Sequence, residues 1–191
     1  MRIAFARGAG LALLFAFGLT AGLSGARADD PPPPVNGHFT LQTLDGKEVS
    51  DTDYRGKFLL IYFGYTFCPD VCPTTLVQIG QALSELGGKA KDFQPIFITL
   101  DPARDKQPVM ADYMKAFDPR IIGLRGDPMD IEEAAKSFHV YYRPRALGNG
   151  EYTVDHSSYI YVVDPKGKFV KLLSGDLPGH PLSEDLRKLD K

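Results

Sequence analysis

The stretch KFLLIYFGYTFCPDVCPTTLVQIGQALSEL, residues 57–86, joins two different hydrophobic periods through a short polar turn. Its first part, KFLLIYFGY, is too apolar to alternate and rich in aromatics, which predicts a central strand buried on both faces. From Thr74 to Leu86 the pattern becomes helical, with Leu76, Ile79, Leu83 and Leu86 on one side and Gly87-Gly88 closing it. The only two cysteines of the chain, Cys68 and Cys72, fall where the strand hands over to the helix.

Outward from this unit the alternation continues. FTLQTLDGKEVS, residues 39–50, alternates apolar and polar residues around the turn dipeptide Asp45-Gly46 and predicts a small N-terminal hairpin. FQPIFITL leads through DPARD, residues 101–105, into a helix from about Gln107 to Phe117. RIIGLRG leads into a helix from about Met129 to Phe138, with Asp127-Pro128 as cap and first-turn pair. SSYIYVVD and KFVKLLS flank DPKGK as a second hairpin, and PLSEDLRKLD reads as a closing helix. Strands alternating with helices and then a hairpin imply an α/β fold with a central sheet that is partly parallel and partly antiparallel.

The first 28 residues predict export. Arg2 and Arg7 form a basic start, Gly8 to Ala26 is an uncharged run of 19 residues, and Ala26-Arg27-Ala28 has the small-x-small form of a signal-peptidase site. The run is also close to the ~20 residues that span a bilayer, so the segment reads as a signal peptide or an uncleaved membrane anchor. Either leaves the following residues outside the cytoplasm. A lipoprotein anchor is not expected, because no cysteine follows the apolar run before Cys68. Residues 29–35, including the run Pro31-Pro34, form a stiff spacer, and residues 36–191 form one globular domain. Removing residues 1–28 takes away three arginines and no acid, so the formal charge moves from −2 to −5. Such a domain is a poor candidate for binding nucleic acid.

Two thiols four positions apart admit a structural bridge, a redox couple or a metal clamp. A bridge would close a loop of a few residues, where the gain in loop entropy is smallest. Residues four apart on a helix lie on one face about 5 to 6 Å apart, and a helix N-terminus favours thiolates. Chemistry is therefore the better reading.

Two thiolates favour soft ions such as Cu(I), with Zn(II) a second candidate, but two seldom complete a site that also holds Cu(II). A third ligand is sought among the four histidines. His38 and His180 read as solvated loop residues, and His139 is explained by the end of a helix. His156, in TVDHSSYIYVV, stands just before a strand, with Asp155 beside it to orient the ring. Met110 and Met114 read as a helix core face, and Asp101 and Asp105 as turn and cap residues. Tyr141 and Tyr142 read as either a docking surface or strand-end packing.

The segments GYTFCPDVCPTTL, ITLDPARD, FHVYYRP and YTVDHSSYIYVVDPKGKFV, in this order, resemble the Sco/SenC family of copper-binding assembly factors over roughly residues 36–190. The resemblance implies a thioredoxin-like fold with an extra N-terminal hairpin, free in the periplasm or tethered to the outer side of the inner membrane. It implies one copper ion, as Cu(I) or Cu(II), bound by Cys68, Cys72 and His156. It also implies delivery of copper to the dinuclear centre of cytochrome c oxidase subunit II, or reduction of the acceptor cysteines there. Other copper chaperones and a thioredoxin-like reductant are the further partners implied.

The contrasting class is an enzyme on the same fold, a thiol-disulfide oxidoreductase or thiol peroxidase. Thioredoxin-type enzymes carry Cys-x2-Cys and a proline in the facing loop. Here the spacing is one residue longer and Asp155-His156-Ser157-Ser158 has no proline. A peroxidatic cysteine would want its activating threonine at another offset from Thr66. A closed zinc site would need a fourth ligand that the chain does not display.

Overall fold

The computed structural model describes residues 34–174 and 181–189. The leader, most of the proline spacer and His180 lie outside the described residues. Among the described residues no helix is long and apolar enough to cross a membrane.

The predicted N-terminal hairpin forms as β1 (Thr40–Thr43) and β2 (Glu48–Ser50), turning at Gly46 with φ +87°. The apolar run becomes β3 (Phe58–Gly64), with all seven residues buried. α1 (Val71–Leu86) follows, then β4 (Phe93–Thr99), α2 (Gln107–Met114), β5 (Ile122–Arg125) and α3 (Pro128–Ser137). Asp127 caps α3 as its sequence predicts. Its Oδ1 accepts hydrogen bonds from the Met129 and Asp130 amides at 2.8 and 3.0 Å, and Asp130 reciprocates to the Asp127 amide.

The chain continues through β6 (Tyr142–Gly148), β7 (Glu151–His156), β8 (Tyr159–Val163), β9 (Phe169–Ser174) and α4 (Leu182–Arg187). Seven strands form one sheet in the order β2-β1-β5-β4-β3-β8-β9. β3, β4 and β5 run parallel, while β1, β2, β8 and β9 add antiparallel pairs, so the sheet is mixed as the alternation implied. β3 lies in the interior of this order, which is why its side chains alternate between two covered faces and all can be apolar.

α1 buries Thr75, Leu76, Ile79, Leu83 and Leu86 at helical spacing. At 25 to 30 cal/mol per Å² of apolar surface, each such leucine or isoleucine contributes about 1.5–3 kcal/mol. Met110 is fully buried and Met114 packs against the same core, so both belong to the core face expected of them.

Two features depart from the sequence reading. Among the described residues, β6 and β7 pair only with each other, as a ribbon outside the main sheet. Six of the seven β6 residues are exposed, so no hydrophobic period marks it. The Gly148-Asn149-Gly150 turn, positive in φ throughout, was the available signal. His156, expected just before a strand, is therefore also the last residue of β7, with β8 starting at Tyr159. In addition, α1 starts at Val71, so Cys72 lies in its first turn while Cys68 lies on the loop before it. Shared helix-face spacing is not what brings the sulfurs together.

Candidate metal centre

Cys68, Cys72 and His156 meet at the end of β3. Each offers a ligand atom, and the two Sγ atoms and a ring nitrogen lie within 4.8 Å of one another. Cys72 Sγ is 3.5 Å from His156 Nε2. The other ring nitrogen, Nδ1, is 2.9 Å from the Ser157 carbonyl oxygen. A carbonyl only accepts, so Nδ1 carries the proton and Nε2 turns its lone pair toward the sulfurs. Tyr65 and Tyr62 present ring edges or faces to the imidazole at centroid distances of 5.9 and 6.4 Å.

Asp155, expected to orient the ring, does not. Neighbouring strand residues point to opposite faces, and Asp155 instead receives Arg145 Nε at 2.9 Å on the exposed side of the ribbon. The Ser157 carbonyl does the orienting, a backbone contact with no sequence signature.

The two sulfurs sit in different environments. Cys68 is partly exposed and Cys72 is fully buried, and both are free thiols. The Cys72 thiol donates to Cys68 and brings the Cys68 pKa down to about 4, against the opposing effect of burial. The amides of Asp70 and Cys72 at the start of α1 add to the lowering. The same bond and burial push the Cys72 pKa up. The pair thus shares one proton at neutral pH, held on the inner sulfur.

Close packing fixes the inner sulfur. A Cβ added to Gly64 would lie 2.8 Å from Cys72 Sγ and 2.9 Å from Phe97 Cε2, so only glycine lets the sulfur settle on the end of β3. The loop before Cys68 is tied down by Asp105, which is fully buried. Asp105 accepts from the Thr66 amide at 3.0 Å, the Thr66 hydroxyl at 2.6 Å and the Thr99 hydroxyl at 2.6 Å. Burial pushes its pKa up and these bonds pull it back. The expected helix cap is absent, since α2 is preceded by Lys106 and has no side-chain cap. Asp101 pairs with Arg104 instead and shapes the turn, with its Oδ1 accepting from the Arg104 amide.

The remaining candidates lie elsewhere. His38 is largely exposed, with Nδ1 3.2 Å from Asp51, and His139 takes a left-handed conformation at φ +55° just past α3. Tyr142 packs against the core, whereas Tyr141 is 61% exposed.

This arrangement can hold a soft cation between two sulfurs and one imidazole, or pass between dithiol and disulfide. The chain matches the SCO1/SenC family model over residues 27–191. It is 41% identical over 160 residues to protein sco1 of Schizosaccharomyces pombe, covering 82% of this chain and 59% of that protein. The structure of Bradyrhizobium japonicum ScoI with copper bound is similar at TM-score 0.74 and 40% identity, covering 80% of this chain and 98% of that one. BsSco, a member of the Sco family of cytochrome c oxidase assembly proteins in which a disulfide switch was identified, is similar at TM-score 0.62 and 27% identity. That match covers 82% of this chain and 91% of BsSco. The chain spans about half the length of the curated relatives it matches. Its mixed sheet, its cysteine turn at the end of β3 and its matched length agree: the fold is thioredoxin-like, and the chain belongs to the SCO1/SenC family.

Proposed function

We propose that this protein is a copper metallochaperone that binds one copper ion through Cys68, Cys72 and His156 and assists assembly of the dinuclear copper centre of cytochrome c oxidase subunit II. The observation that carries this reading is the convergence of the two sulfurs and His156 Nε2 within 4.8 Å. The donor set fits copper: two thiolates suit Cu(I), and the imidazole tolerates Cu(II). The bond from Nδ1 to the Ser157 carbonyl keeps Nε2 unprotonated and aimed at the ion. Cys68 and the 54% exposed Phe67 leave one side open, through which an acceptor's ligands exchange the ion.

The proposal places the domain on the periplasmic side of the inner membrane, released or held by residues 1–28. Copper arrives from other copper chaperones, and a thioredoxin-like reductant keeps the cysteines reduced.

A second reading is favoured by the lowered pKa of Cys68 beside a buried thiol. In it the Cys68 thiolate attacks an acceptor disulfide and Cys72 resolves the mixed disulfide. Two electrons and the shared proton pass to the acceptor, whose sulfurs leave as one thiolate and one thiol, and a Cys68–Cys72 disulfide remains.

One experiment separates the two. Reduced, Cu(I)-loaded protein is mixed with the apo copper-centre domain of subunit II, and metal and thiol state are followed in both. Copper moving with the Cys68 and Cys72 thiols retained supports the chaperone. A Cys68–Cys72 disulfide with new acceptor thiols supports the reductase, and neither change removes both readings.

A further inference from the structure

The cysteine loop and the His156 strand belong to different parts of the fold. The ribbon β6–β7 has no hydrogen-bonded partner in the seven-stranded sheet, so sheet register does not place it. Its end runs through Ser157 and Ser158 into β8, Val154 is buried in the core, and the Tyr65 hydroxyl lies 2.8 Å from the Thr153 hydroxyl on β7. The loop Asp101–Asp105 bonds to both parts.

Arg104 touches both. Its Nη1 donates to the Tyr152 carbonyl on β7 at 2.8 Å, and the guanidinium lies 3.7 Å from the Tyr152 ring centroid. The same group lies 4.8 Å from the ring centroid of Phe67, the neighbour of Cys68, and 5.7 Å from that of Tyr65. Asp101 fixes the guanidinium through Nε at 2.5 Å and accepts from the Tyr152 hydroxyl at 2.8 Å. Next to it, Asp105 seats the cysteine loop through Thr66. Two adjacent residues of this loop thus hold different parts: Asp105 holds the sulfurs' loop, and Arg104, braced by Asp101, holds the histidine's strand.

We propose that Arg104 and Asp105 are positioning residues that hold the cysteine loop and the His156 strand at the separation where the three donor atoms converge. Their role as positioners of metal ligands rests on the copper-site reading above. An arginine fork bonded to a carbonyl and stacked between rings is not replaced by lysine, because the geometry and the charge both matter.

The test compares the full chain with Arg104→Met, and uses Arg145→Met as a control on the exposed side of the same ribbon. Amide exchange is read in the reduced, copper-free protein, and nitrogen coupling from the imidazole is read on Cu(II). Arg104→Met is expected to speed exchange of the β7 amides by about tenfold or more, to leave β3 unchanged and to weaken the nitrogen coupling. Arg145→Met is expected to match the parent in both. If Arg104→Met does not fold, Tyr152→Phe removes only the hydroxyl bond to Asp101 and is expected to show a smaller change in the same direction. Parent-like β7 exchange overturns the proposal, as does faster exchange with unchanged nitrogen coupling. If the parent itself shows no imidazole coupling, the copper-site reading fails, while the exchange result still decides whether Arg104 holds the ribbon.

Discussion

Cys72 Sγ and His156 Nε2 lie 3.5 Å apart although 84 residues separate them in the chain. The sulfur comes from the first turn of α1 and the nitrogen from the last residue of β7, so neither belongs to a local motif with the other. Burial of Cys72 and the Ser157 carbonyl behind the imidazole leave each atom facing the other. That contact makes the third ligand testable apart from the two sulfurs.

Replacing His156 by Ala leaves both cysteines and removes one donor. Loss of an outer-shell partner alone costs about 10–100-fold in metal affinity, so loss of the ligand is expected to cost at least that. Cu(II) binding is expected to fall further than Cu(I) binding, because the remaining thiolates are soft donors. Competition titrations in both oxidation states check this. Equal binding by the parent and His156→Ala removes the three-ligand site.

The proton shared by the two sulfurs gives a pH signature. The folded-state pKa of Cys68 is lowered to about 4, so its thiolate is present above that pH and is lost as pH falls through it. Alkylation of Cys68 in the reduced, copper-free protein is expected to be nearly flat between about pH 6 and 8, where an ordinary thiol still gains reactivity. Cys72 is expected to stay unmodified over the same range, because its own pKa is pushed up and its sulfur is buried. Mass spectrometry of pulse-labelled protein reads both sites. A Cys68 rate that climbs tenfold per pH unit across this range contradicts the assignment.

Gly64→Ala tests the packing beneath the site. The new methyl would meet Cys72 Sγ and Phe97 at under 3 Å, and neither can swing away because both are fully buried. Overpacking of this kind costs about 1–3 kcal/mol, measurable by denaturant unfolding. The displaced sulfur is expected to weaken copper binding as well. A variant with parent stability and affinity would mean that β3 and α1 part without cost.

What the sequence showed depended on how much each segment buries. β3 and α1 were legible because a strand covered on both faces and a one-sided helix leave opposite hydrophobic periods in adjacent residues. Asp127-Pro128 marked a helix start because a cap is a local contact. The ribbon carrying His156 was not legible, since its exposed strand leaves no such pattern and its contacts come from distant residues, Tyr65 and the loop 101–105 among them. Asp105 departs from the cap expected of it for the same reason: its partners Thr66 and Thr99 lie 39 and 6 residues away, and a carboxylate just before a helix resembles a cap. The role implied for His156 came from its resemblance to a family, not from its spacing.

Copper loading and disulfide formation compete for the same two sulfurs. In the copper-free protein a mild oxidant is expected to join Cys68 to Cys72, taking two electrons and releasing the shared proton. Three residues lie between the cysteines, so the closed loop is short and the disulfide is expected to add only a small entropic stabilisation. Its main effect is to withdraw both sulfurs from metal binding. Prior loading with one equivalent of Cu(I) is expected to slow the oxidation strongly, because each sulfur's lone pair is committed to the ion. His156→Ala is expected to lose part of this protection, since a two-ligand complex releases copper more readily. Thiol labelling over time, with and without copper, measures all three rates. Equal oxidation of the loaded and copper-free protein would show that the sulfurs do not hold the ion.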